Sequence, residues 1–252
     1  MRRIIEMARK YEQMRPYVEQ LPDIFDRQGE EIYHLRNTIK VFQAPNGMLI
    51  NVKRFHVPAL PNRLVYSLGV RKPKGRRAFV YPDMLLSHGI RTPEPVALIE
   101  ERNCLGLLGY TYFVSIQCDY GHTLYEVGQM RDGEYEELAE ALARLAAAMH
   151  RQGILHKDFT PGNVLWKHDE QGYHFSLVDI NRMYFGEVNM REGLCNLTRM
   201  WGPKRFTQIL VRRYADIRGF DKDEAEAMAL TERARFWKKY QRKHEIPFHL
   251  EL

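Results

Sequence analysis

Cysteine is scarce. Cys104, Cys118 and Cys195 are the whole complement, far apart, with no CxxC pair and no Cys/His cluster. That spacing argues against a zinc site and offers no disulfide framework; three buried thiols in a reducing cytoplasm are the expectation. Long apolar runs are missing as well. No stretch approaches the ~20 apolar residues that cross a bilayer. The opening MRRIIEMARKYEQMRPYVEQL carries Glu6, Arg9 and Lys10 where a signal peptide needs an apolar run. Internal repeats and low-complexity tracts are also lacking. Acids thin out in one region: between Arg54 and Glu94 the only carboxylate is Asp83.

What is present describes a soluble protein with a real core, since 252 residues with 44% apolar and 28% charged side chains are ordinary for one. A formal charge of +6 favours anionic partners: nucleotides, phosphorylated sugars, an acidic membrane surface or nucleic acid. Ile4, Ile5, Ala8, Tyr11, Met14 and Val18 recur at helical spacing and predict an amphipathic helix over 1–21. Residues 22–30 read as a polar linker ending at Gly29. From there the period changes. EEIYHL, NTIKVFQA and MLINVKRF are β-rich, the last two joined by PNG, a hairpin signal. HVPALPNRLVYSLGVRKPKGRR reads as a basic loop, and RRAFVYPDMLLSHGI as a helix closed by Gly89. GEYEELAEALARLAAAMHRQGI is the clearest helix, with Leu138, Leu142, Leu145 and Met149 on one stripe and Gly153 as its stop. The expected architecture is α+β and bilobal, with a β-rich lobe over 28–118 and a mainly helical one over 119–252.

The densest chemistry lies in LHKDFTPGNVLW, followed by FSLVDINRM. Asp158 and Asn163 are spaced D-x-x-x-x-N, so one tight loop can offer a carboxylate to an acceptor and an amide oxygen to a metal. Pro161 and Gly162 suit the turn between them. Asp179, beyond the apolar run Phe175–Val178, can reach the same metal. Magnesium keeps most of its positions for phosphate and water, so one amide and one carboxylate suffice. His156 reads as a hydrogen-bonding brace for the loop, and Asn181 as a further polar contact. Phosphoryl transfer also needs a cation on the phosphates. Lys53, in INVKRF, supplies it: alternation puts Val52 and Arg54 on one face of the strand, Lys53 and Asn51 on the other.

VKRF, TPEPVA, LHKDFTPGNVLW and FSLVDINRM together resemble the lipopolysaccharide kinases, the Kdo/heptose kinase family within the protein-kinase-like fold, over residues 28–200. The resemblance implies an ATP- and Mg²⁺-dependent kinase. The acceptor it implies is a hydroxyl of a bacterial saccharide or glycolipid, the Kdo or heptose of the lipopolysaccharide core, and the expected location is the cytoplasm or the inner face of the membrane. Lys53 is similar to the strand lysine that grips ATP, Asp158 to the catalytic-loop acid, Asn163 to its metal-binding amide and Asp179 to the metal acid. The segment Cys118–Gly121, with Cys118 and Tyr120, is expected to hold the adenine.

Three positions depart from the kinase pattern. YHLRNTIK contains no glycine, so Arg36 and Asn37 are the candidates for a phosphate cradle. The lysine's usual partner, a helix glutamate, has only Asp83 to replace it; Asp83 is either that partner or a first-turn acid behind Pro82. Position 157 is lysine, set either against an anionic acceptor or against the helical lobe.

No A-P-E-like motif follows Asp179, which favours a small or glycolipid acceptor over a peptide. Arg191, Arg199 and Arg205 are candidates for its acidic groups. The C-terminal ERARFWKKYQRKHE mixes cations with Phe236, Trp237 and Tyr240; it reads as a basic helix with inward aromatics, or as a contact with an anionic membrane. Nucleic acid is not an expected partner. The alternatives are a kinase for a protein tyrosine or another small molecule, and a nucleotide-binding pseudokinase.

Overall fold

The computed structural model describes residues 2–252 and divides the chain into two compact units. One runs up to Ser87 and resumes over Thr92–Asp119; the other comprises His88–Arg91 and Tyr120–Leu252.

The first unit corrects the reading of the N-terminus. Arg2–Met7 is a strand, β1, paired antiparallel with β5 (Pro95–Arg102) from Arg2↔Arg102 to Met7↔Ala97. A partner some ninety residues away overrides the local helical period. After a 3-10 turn (Arg9–Met14) come two four-residue helices, α1 (Arg15–Val18) and α2 (Leu21–Ile24), each with a proline in its first turn. The helical spacing survives here: Tyr11, Met14, Val18, Leu21 and Phe25 are buried against Ile50, Val52, Ile99, Tyr112 and Val114 of the sheet. Phe25 meets Tyr112 edge-to-face at 5.5 Å. Residues 22–30 are thus no simple linker.

Strands β2 (Glu30–His34), β3 (Thr38–Gln43), β4 (Leu49–Phe55) and β6 (Leu108–Ile116) complete an antiparallel sheet ordered β1-β5-β6-β4-β3-β2. PNG makes the β3–β4 turn, with Gly47 at φ +83°. Inside the stretch expected to be loop lies helix α3 (Leu60–Ser67), followed by α4 (Lys74–Ser87). Pro73, not Pro82, stands at the start of α4, where its carbonyl accepts from Arg77 N at 3.1 Å.

In the second unit, β7 (His122–Thr123) and a 3-10 turn (Leu124–Gln129) lead to α5 (Glu136–Arg151). Its buried stripe includes Leu138, Leu142, Ala146 and Met149, while Leu145 is only half-buried. Gly153, at φ +69°, ends it and turns the chain into β8 (Ile154–His156). There follow β9 (Val164–Asp169), β10 (Gly172–Leu177), β11 (Met183–Phe185), α6 (Met190–Leu197), α7 (Lys204–Arg218) and α8 (Lys222–Tyr240). A capping box starts α6: Asn189 accepts from Glu192 N at 2.9 Å and Glu192 accepts from Asn189 N at 3.1 Å. Trp237 of α8 is buried and donates to Thr198 O at 3.2 Å, so that aromatic of the basic C-terminal stretch faces inward.

The thiols also differ from expectation. Cys104 is exposed, on the turn between β5 and β6, and Cys118 and Cys195 are half-buried. Among the described residues, no helix is long and apolar enough to cross a membrane.

Candidate active site

The second unit gathers Asp158, Asn163 and Asp179 around one buried imidazole. His156 ends β8, which pairs with β11 through Met183↔His156. Its Nδ1 accepts from Asp158 N at 3.1 Å, and its Nε2 lies 3.1 Å from Val178 O. These partners fix the tautomer: a backbone N–H needs an acceptor and a carbonyl needs a donor, so the proton sits on Nε2. Burial holds the imidazole pKa below its ordinary value, which keeps the ring neutral as this bridge requires. Asn196 of α6 adds a bond from Nδ2 to His156 O at 2.9 Å. One ring thereby fixes the backbone at Asp158 and the residue before Asp179.

Asn163 closes the loop. Its Nδ2 donates to Asp158 O at 2.9 Å, and its own carbonyl accepts from Val178 N at 3.0 Å. The amide nitrogen being engaged, Oδ1 is the atom Asn163 has to offer. Gly162 is required by a close approach: a β-carbon there would lie 2.8 Å from the Tyr125 ring. Asp179 is the one non-glycine residue with positive φ among those described (φ 53°, ψ 39°). Such a conformation is sparsely populated outside glycine, and it turns the chain sharply after β10. Asn181 Nδ2 donates to Asp179 Oδ1. The backbone bond from Val178 N to Asn163 O ties the segment carrying Asn163 to the residue before Asp179; an amide oxygen and a carboxylate are hard donors of the kind that suits Mg²⁺.

Sequence reasoning missed Arg182. Its Nη1 contacts both Asp158 carboxylate oxygens, at 2.8 and 2.9 Å. Its backbone carbonyl accepts from Lys157 N at 2.9 Å, which ties the two loops together again. Nothing in DINRM beyond adjacency to Asp179 announces this. Lys157 points its ammonium over the Tyr184 ring, 5.4 Å from the centroid, within the helical unit. Of the three arginines expected to meet an acceptor, Arg191 pairs with Glu232 at 3.3 Å and Arg199 donates to Lys157 O at 3.0 Å. Arg205 is exposed. Tyr120 accepts from Arg91 Nη1 at 3.0 Å and lies under Lys167 Nζ.

The other expected residues belong to the sheet unit. Lys53 stands in a cross-strand row, Ile39–Lys53–Phe113–Leu98–Glu6, whose members share one face. Helix α4 covers that face, since a β-carbon on Gly75 would strike Leu98 and Thr111. Lys53 Nζ sits 5.3 Å from the Phe55 ring centroid. Asp83 lies in the second half of α4, exposed, off the buried stripe of Gly75, Ala78, Phe79, Pro82 and Leu85. The first-turn alternative for Asp83 thus fails, because the helix begins at Lys74. The acid that meets α4 from the row of Lys53 is Glu6, paired with Arg76.

Arg36 and Asn37 form the tip between β2 and β3, closed without glycine by Leu35 N donating to Asn37 O at 3.2 Å. Asn37 Oδ1 accepts from His56 N at 3.3 Å. Both residues line a cavity of about 120 Å³ together with His56, Asn62 and Lys74. Cys118 O accepts from Gln117 Nε2 at 3.1 Å.

Residues 62–207 match the model of the Lipopolysaccharide kinase (Kdo/WaaP) family. The chain belongs to that family. The match covers the Asp158–Asp179 region and leaves Lys53, Arg36 and Asn37 outside it. Among solved structures, "WaaP in complex with acyl carrier protein" is similar with a TM-score of 0.58 and 19% identity, over 97% of this chain and 100% of that one. "Structure of the streptomycin-ATP-APH(2")-IIa ternary complex" is similar with a TM-score of 0.52 and 12% identity, over 92% and 91%. These likenesses establish the expected protein-kinase-like α+β fold. Family membership makes the protein a kinase, hence a phosphotransferase, of the lipopolysaccharide class.

Proposed function

We propose that this kinase transfers the γ-phosphoryl group of ATP to a hydroxyl of a Kdo or heptose residue in the lipopolysaccharide core, at the cytoplasmic face of the membrane. The observation that supports the reading is the His156 bridge, which ties the backbone at Asp158 to that at Val178, beside Asp179, with Asn163 bonded to the Asp158 carbonyl. Phosphoryl transfer asks the protein for positioning and charge stabilisation more than for covalent chemistry.

Asp158 orients the acceptor hydroxyl and takes its proton as the oxygen attacks. Arg182 holds that carboxylate in place until the acceptor arrives. Asn163 and Asp179 are the residues to hold Mg²⁺, which when bound neutralises charge on the phosphates. Lys53 steadies the non-transferred phosphates, with Arg36 and Asn37 standing in for a glycine-rich loop and Asp83 as the acid available on α4. The backbone at Cys118 and Tyr120 binds the adenine. The short passage from Asp179 to α6, without an A-P-E-like motif, supports a small or glycolipid acceptor over a peptide.

The test is radiolabel transfer from ATP to a panel of Kdo–lipid A, heptosylated core, peptides and small sugars. Label should enter a core glycolipid with the wild type and not with Asp158→Asn, which should still bind nucleotide. Wild-type turnover in Asp158→Asn removes that residue from the chemistry. Label in peptide or an aminoglycoside instead moves the acceptor, and no label in any acceptor supports a pseudokinase.

A further inference from the structure

Helix α3 is turned inside out. Two of its polar residues face the protein: Arg63 Nε donates to Leu108 O at 2.5 Å, Ser67 Oγ accepts from Leu108 N at 2.9 Å, and Tyr66 between them is buried, while Asn62 is exposed. Two bonds to one residue of β6 fix the rotation of the helix about its axis. Leu60, Leu64 and Leu68, four residues apart, therefore form a stripe on the outer side, exposed to 62%, 43% and 77%. Val70, 77% exposed, continues it. Scattered exposed leucines need no explanation, but an aligned apolar ridge does.

The sequence that carries the ridge is one-sided in charge, although Arg63 turns inward and Arg76 pairs with Glu6. Residues 55–82 contain six lysines and arginines and no carboxylate, so they account for the whole formal excess of +6 in the chain. Arg71 and Lys72, directly after Val70, are exposed. The C-terminal helix α8 lacks this combination. It has Lys238 and Lys239, but Trp237 is buried and Phe236 and Tyr240 stack on each other at 5.8 Å.

We infer that α3 and the basic segment after it form a docking surface for an anionic lipid bilayer, with Leu60, Leu64 and Leu68 inserted at the headgroup boundary and Arg71 and Lys72 on lipid phosphates. A ridge of leucines beside a cluster of cations is the arrangement by which a helix lies in a membrane interface. A second copy of the chain is the poorer occupant, because it would set like charge against like. The surface belongs to the sheet unit and extends the functional reading without depending on it.

The experiment is co-sedimentation of the full chain with vesicles of phosphatidylcholine alone or mixed with phosphatidylglycerol, at low and high salt. It needs no catalysis, so its failure is distinct from failure of the kinase reading. Wild type should pellet with the anionic vesicles only, and less at high salt. Leu60→Ser/Leu64→Ser/Leu68→Ser should bind about tenfold or more weakly, as should Arg71→Glu/Lys72→Glu. Lys238→Glu/Lys239→Glu, with the same charge change on α8, should lose less than about twofold. Unchanged binding by the leucine variant overturns the inference, as does an equal loss in the α8 variant. So does a wild-type dimer that the leucine substitutions dissolve, or capture by an acidic protein with no affinity for vesicles.

Discussion

Arg182 Nη1 lies 2.8 and 2.9 Å from the two carboxylate oxygens of Asp158, so the candidate base is clasped from the loop that carries the candidate metal acid. Arg182 is 55% exposed and Asp158 28%, which limits what the pair adds to stability to about 1 kcal/mol or less. Its value is geometric. Arg182→Ala should lower kcat about tenfold with little change in the KM for ATP, and leave the melting temperature nearly unchanged. Steady-state kinetics at varied ATP check this; a faster variant would mean that Arg182 restrains Asp158.

The turn between Asp158 and Asn163 depends on the absence of a side chain at Gly162. Gly162→Ala places a methyl against the Tyr125 ring and should displace Asn163, lowering kcat about tenfold. Tyr125→Ala in the same chain removes the ring and should restore most of the loss. A double variant as poor as the single one disproves this steric cause.

Asp179 occupies a backbone conformation that suits glycine better than aspartate. Asp179→Gly should therefore fold with stability within about 1 kcal/mol of wild type, since relief at the backbone offsets the lost contact with Asn181. Transfer activity should vanish. Urea denaturation and the radiolabel assay separate the two effects, and a destabilisation well beyond that range would show the side chain to be structural.

Acid should weaken the helical unit through its buried histidines. Burial lowers the pKa of His150 from 6.5 to about 4, with Tyr214 Oη 2.9 Å from its Nδ1. Below pH 6.5 the unfolded chain binds a proton that the folded imidazole refuses. This contribution is complete above pH 6.5, falls as pH drops toward 4 and levels off beneath, up to about 3 kcal/mol. His156, also lowered by burial, acts in the same direction. Denaturation at about pH 7 and about pH 5 should show the drop, and His150→Gln should flatten it.

The candidate site's turn was legible in sequence because its parts are local. Asp158, Pro161, Gly162 and Asn163 lie on one turn, and the turn chemistry that shapes it is written in those residue types. The long amphipathic helix α5 and the PNG hairpin were legible for the same reason: period and turn residues act over a few positions. Asp179 was legible as an acid after an apolar strand, but its left-handed backbone was not.

Tertiary structure decided what depends on distant partners. RRIIEM is a strand because β5 offers it an edge, a contact no window of neighbouring residues contains. Arg182 reaches Asp158 only because β11 pairs with β8. The leucines of α3 face outward because Leu108 binds Arg63 and Ser67, reversing the orientation that hydrophobicity alone prescribes. Local propensity settles which short segments form; pairing and hydrogen bonding between remote segments settle which face each one presents.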